Sequence, residues 1–134
     1  MNQAIIGLGS NIDPHKNVTK ARAALAERFQ ILESSRFSRT KPIGYKKQPD
    51  FINGAMLIAT HLDWQELRQI LKEIENNLGR VRQRNSHGPR VIDLDLLVFN
   101  HQVVHQDVYE RDFIRKAVTQ LQPEIKDAVF KQSQ

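Results

Sequence analysis

An α+β sandwich, with helices packed on an antiparallel sheet, is the architecture this sequence predicts, and three observations predict it. Strand-like and helix-like segments follow one another in the order β-α-β-β-α-β. Residues 63–79 carry a full set of helix start, stripe and stop signals. The chain has 134 residues, 40% of them hydrophobic, which suits one domain with its own core, read as residues 1–134.

The elements follow in order. Gln3 to Leu8 is a short apolar run, read as a strand, and Gly7-Leu8-Gly9-Ser10-Asn11 reads as a tight turn after it. Asp13-Pro14 supplies an N-cap and a first helical residue, and Val18, Ala21, Ala24, Leu25 and Phe29 continue at helical spacing. Residues 30–38 read as extended, with Ile31, Glu33, Ser35 and Phe37 on one face. Arg39 to Pro49, with Pro42, Gly44 and Pro49, reads as a loop, and Phe51 to Thr60 as a strand. Asp63 with Glu66 forms a capping box, Leu67, Ile70, Leu71, Ile74 and Leu78 a helical stripe, and Gly79 a stop. Arg80 to Pro89 is polar and basic, hence a loop. Val91 to Phe99 is a buried strand, and Phe113 to Leu121 a last helix before Pro123. That order is the ferredoxin-like one, with helices expected on one face of the sheet.

Composition narrows the function. There are no cysteines, which excludes disulfides and thiolate metal sites. No stretch approaches the roughly 20 apolar residues of a membrane-spanning helix, and the first residues lack the pattern of a signal peptide. A cytoplasmic protein with no membrane partner is expected. Twenty basic residues against fifteen acidic ones give a net charge of +5, suited to nucleic acid or to a small polyphosphate.

The chemistry centres on Val91-Ile92-Asp93-Leu94-Asp95-Leu96. Strand alternation puts Asp93 and Asp95 on one face and Ile92, Leu94 and Leu96 on the other. Two carboxylates two residues apart can converge on one Mg²⁺ or on a pair of ions. Two solvated aspartates on an exposed sheet face is the alternative, although Asp is disfavoured in strands. His101 and His105 follow in polar stretches and read as surface residues.

Arg80, Arg82, Arg84 and Arg90 directly precede that strand, with no acidic residue between Glu75 and Asp93. Guanidinium groups grip phosphate oxygens bidentately, so arginines beside a carboxylate pair suit phosphoryl-type transfer. Alone, the run favours a solvated loop or a nucleic-acid patch; joined to Asp93 and Asp95, it favours a nucleotide. The glycines at 7 and 9 form no classical phosphate loop, because Ile12 stands where a dinucleotide fingerprint needs Gly and no Walker A sequence exists. Phe51 offers a stacking face and Asn53 paired donors and an acceptor for a heterocycle edge, or else both serve an ordinary structural loop.

Together these segments resemble the 6-hydroxymethyl-7,8-dihydropterin pyrophosphokinases of folate biosynthesis. The resemblance runs through Gly9-Ser10-Asn11, Arg39-Thr40-x-Pro42-x-Gly44, Gln48-Pro49-Asp50-Phe51-x-Asn53, Glu75, Gly79-Arg80-Val81-Arg82 and Gly88-Pro89-Arg90-x-x-Asp93-Leu94-Asp95. It implies transfer of pyrophosphate from ATP to a pterin hydroxymethyl group. It also implies two Mg²⁺ ions on Asp93 and Asp95 and charge stabilisation by Arg80 and Arg90. Nucleotide contacts would come from Glu75, Arg82 and Arg111, and a pterin pocket from Thr40, Ile43, Phe51, Asn53 and Phe113. The chain departs from the family where a Pro-His pair usually stands about six residues before the Arg matched by Arg111. About eight residues are missing there, so a weaker hold on ATP is expected. His87 also replaces a usual Trp. A relative that binds pterin or nucleotide without turnover is the second reading, and a basic RNA-binding module the third.

Overall fold

The computed structural model describes residues 1–44, 47–79 and 90–125. Strand β1 (Asn2–Ser10) lies at the middle of a six-stranded antiparallel sheet. Along one edge it pairs with β4 (Phe51–Thr60), from Asn2 opposite Thr60 to Ser10 opposite Ile52. Along the other it pairs with β5 (Asp93–Phe99), with Gly9 opposite Asp93 and Gly7 opposite Asp95. Strand β2 (Gln30–Ser34) and then β3 (Ser38–Thr40) line the outer edge of β4, and β6 (Gln102–Val103) extends the sheet beyond β5. The strand order β2-β4-β1-β5 is the ferredoxin-like one expected from the sequence.

Helices α1 (Pro14–Arg28) and α2 (Trp64–Asn77) cover one face. Alternate residues of the strands meet them, so Ala4, Ile6 and Leu8, Met56 and Ile58, and Leu94 and Leu96 form one core with Leu25, Leu67 and Leu71. Each large side chain fully buried there contributes about 1.5–3 kcal/mol. The capping box of α2 is complete: Glu66 N donates to Asp63 Oδ1 at 2.8 Å and Asp63 N to Glu66 Oε1 at 3.2 Å. Gly79, at φ +90°, follows the helix as a stop.

Four expectations change. Asp13 does not cap α1 with its side chain: it sits in the left-handed region at φ 40°, a conformation that Asp tolerates, and its carbonyl accepts from Asn17 N. The segment 30–38 is not one strand. A bulge between Ile31 and Glu33 breaks its alternation, so Glu33 is exposed while Ile31 and Phe37 both pack on the α1/α2 core. The loop expected from Arg39 begins only after Thr40, because β3 pairs Thr40 with Phe51 and Ser38 with Asn53. Finally, helices cover both faces. The short α3 (Asp107–Glu110), α4 (Asp112–Leu121) and a 3₁₀ turn at Pro123–Ile125 lie against the second face. Val108, Val118, Leu121 and Ile125 close a smaller core there over Ile5, Leu57, Leu97 and Val98.

Candidate active site

That second core stops half-way along the sheet. Beyond it the same strand positions turn from apolar to small and polar. Ile5 gives way to Gly7 and Gly9 on β1, Leu57 to Ala55 and Asn53 on β4, and Leu97 to Asp95 and Asp93 on β5. The result is a cleft of about 180 Å³ whose floor is the glycine backbone of β1. Gly7 and Gly9 therefore lie within the strand, contrary to the tight turn expected after Leu8. A Cβ at Gly9 would run into Asn53 Oδ1, and one at Gly7 would come 3.0 Å from Leu97 Cδ1. Glycine is required here by close approach.

Nine of the residues singled out from the sequence line this cleft. Thr40, Ile43, Phe51 and Asn53 form one wall, and the Asn53 side-chain amide donates to Thr40 Oγ1. Arg90, Asp93 and Asp95 form the opposite wall, and Arg111 and Phe113 face them from the start of α4. Arg90 is buried, with Nε 3.8 Å from Asp93 Oδ1. Asp93 and Asp95 are both partly open to solvent.

Glu75 does not join the cleft. It is buried on α2, accepts from Leu94 N at 2.7 Å, and so anchors the strand that carries both aspartates. It lines a second depression on the outer side of Asp95, shared with Lys72, Val104 and His105. Arg80 and Arg82, like His87, lie outside the described residues.

Three further residues were missed. Asn11 is buried and clamps distant segments: its Nδ2 donates to Gln48 Oε1 at 2.8 Å and Pro49 O at 3.1 Å, while its Oδ1 accepts from Arg90 N at 2.8 Å. His105, read as a surface residue, holds Nε2 4.0 Å from Asp95 Oδ1. Asp107 lines the cleft beside Arg111. Asn11 stood out in the sequence only as the polar end of the Gly-Ser-Asn run, and Asp107 not at all.

Asp93 and Asp95 have the chemistry to hold Mg²⁺: two hard carboxylates project from one strand, opposite glycines that add no side chain. Among the described residues no cluster of three or more ligating side chains occurs. An ion here would therefore complete its shell with water and phosphate oxygens, as Mg²⁺ commonly does.

The profile of the 7,8-dihydro-6-hydroxymethylpterin-pyrophosphokinase family (HPPK) matches residues 5–123. The chain belongs to that family. It is accordingly a pyrophosphokinase, a diphosphotransferase. Among curated proteins, the 2-amino-4-hydroxy-6-hydroxymethyldihydropteridine pyrophosphokinase of Bacillus subtilis is 37% identical over 124 residues, covering 84% of this chain and 74% of that protein. The enzyme of the same name from Haemophilus influenzae is 34% identical over 122 residues, covering 83% and 76%. That from Campylobacter jejuni is 39% identical over 103 residues, covering 75% and 65%.

Set beside the HPPK pattern, His105 changes meaning. It stands six residues before Arg111, at the spacing of the family's Pro-His pair, with Val104 in place of the proline. Its Nε2 lies 4.0 Å from Asp95 Oδ1.

Proposed function

We propose that the chain catalyses Mg²⁺-dependent transfer of pyrophosphate from ATP to 6-hydroxymethyl-7,8-dihydropterin, releasing AMP, as a step of folate biosynthesis. The observation that carries this reading is the single cleft that joins Asp93 and Asp95 to Phe51 and Asn53 across a glycine floor. Phe51 and Phe113 offer apolar faces for a planar heterocycle, and Asn53, oriented through Thr40, offers its amide to the ring edge. The hydroxymethyl oxygen attacks the β-phosphorus, the bond to the α-phosphate oxygen breaks, AMP leaves with that oxygen, and the hydroxyl proton is lost. Mg²⁺ held by Asp93 and Asp95 would neutralise the phosphate charge. Arg90 and Arg111 add fixed positive charge to the same cleft, where charge builds as AMP departs. His105, with Nε2 4.0 Å from Asp95 Oδ1, adds a ring nitrogen that could meet the nucleotide.

A binding-only relative was suggested by the departure before Arg111, and binding of an ATP analogue and pterin without AMP release would favour it. An RNA-binding role would leave Asp93 and Asp95 facing phosphate without purpose. The test is incubation of pure protein with ATP, Mg²⁺ and hydroxymethyldihydropterin. Stoichiometric release of AMP is expected, and its absence at high enzyme concentration would overturn the reading.

A further inference from the structure

Asp107 has no part in the functional assignment above, yet it touches two residues that do. It opens α3, lines the cleft and is partly buried. Its Oδ2 lies 3.2 Å from Arg111 Nε. A guanidinium engaged through Nε keeps both terminal nitrogens available for a second, bidentate contact with an anion. On the other side, the backbone N–H of Asp107 donates to His105 Nδ1 at 3.1 Å. Asp107 Oδ2 is also 3.8 Å from His105 Nδ1, so the ring is held from one side and turns Nε2 toward Asp95, at 4.0 Å. That gap is too long for a direct hydrogen bond and leaves Nε2 for another partner.

We infer that Asp107 is a positioning residue for the nucleotide. Its carboxylate aims Arg111 and its amide orients the His105 ring, so that both side chains face polyphosphate oxygens around Asp95. The rise from β6 into α3 makes this possible, because it brings residues 105, 107 and 111 onto one short turn beside the cleft. The bland alternative is an ordinary surface i,i+4 ion pair, which would contribute almost nothing to stability or binding. The two differ in what they couple to. A surface pair would be indifferent to nucleotide, whereas a positioning carboxylate acts chiefly through Arg111, its nearer partner.

The inference rests on the functional reading above, and the experiment separates the two. Asp107→Ala should raise KM for ATP about tenfold, leave KM for the pterin within twofold, and leave the melting temperature nearly unchanged. Asp107→Asn keeps an acceptor oxygen at the same position and should recover most of the loss. In an Arg111→Ala background, Asp107→Ala should add less than twofold. Wild-type AMP release with an unchanged KM for ATP in Asp107→Ala overturns this inference alone, and so does a loss that simply multiplies with that of Arg111→Ala. If the wild type binds an ATP analogue without turnover, the same comparison is read as Kd. A wild type that neither releases AMP nor binds the analogue overturns both readings.

Discussion

The two faces of this sheet are made by the same strands and have opposite fates. Toward α1 and α2, every alternate residue from Ala4 to Leu8 and from Leu94 to Leu96 is apolar and belongs to one core. Toward α4 the alternate residues begin apolar and then become glycine, asparagine and aspartate. Half of that face is core and half is cleft. The chemistry thus sits on a scaffold whose stability is supplied mostly from behind, and substitutions on the two faces should separate stability from activity.

The largest separation is expected at Asp95. Asp95→Ala removes a proposed metal ligand without removing core volume, so kcat/KM should fall by about 10³-fold or more while the melting temperature barely moves. A near-normal rate would remove the metal assignment. On the reverse face, Ile6→Ala should cost about 2–5 kcal/mol in chemical denaturation, through lost burial and a residual cavity, with little change in rate per folded molecule. If that variant instead lost activity at full stability, the division of labour between the faces would be wrong. Gly9→Ala tests the cleft floor. Its Cβ must displace Asn53, so KM for the pterin should rise by about tenfold while KM for ATP changes little.

The smallest effect belongs to an exposed contact outside both the core and the cleft. Glu124 is held below the usual carboxylate range by its own backbone N–H and by His101 Nε2, which donates to Oε1 at 2.8 Å. A depressed carboxylate stabilises the fold above its ordinary pKa, and that contribution is lost as pH falls through the depressed value. Glu124→Gln should therefore lower the melting temperature by about 1 °C or less at pH 7 and not at all in strong acid. A larger shift would mean that this exposed pair pins the chain after α4.

What was legible in the sequence follows the range of the interactions involved. The capping box at Asp63 and Glu66 and the shared face of Asp93 and Asp95 are local facts of period and spacing, and both appear as read. The role of Gly7 and Gly9 was not legible, because nothing near them in sequence shows that Asn53 and Asp93 will flank them. Asn11 joins residues 37 and 79 positions away, which no window can report. His105 and Asp107 were hidden for a different reason. Polar residues in a short connection look solvent-facing until the turn into α3 fixes which way they point. The second helical layer was missed likewise, since a pattern of apolar residues marks a buried stripe without naming the face it covers.

The glycine floor has a consequence for motion as well as shape. Because β1 is paired on both edges through Gly7 and Gly9, its amides and carbonyls there are committed to the ladder, so this backbone serves the substrate as a flat platform and little else. The same pairing makes it the part of the cleft slowest to open. In hydrogen exchange, the floor amides should be protected close to the level of global unfolding, whereas the loop bearing Ile43 should exchange far sooner. A bed held on both edges keeps the surface on which successive ligands rest in one place.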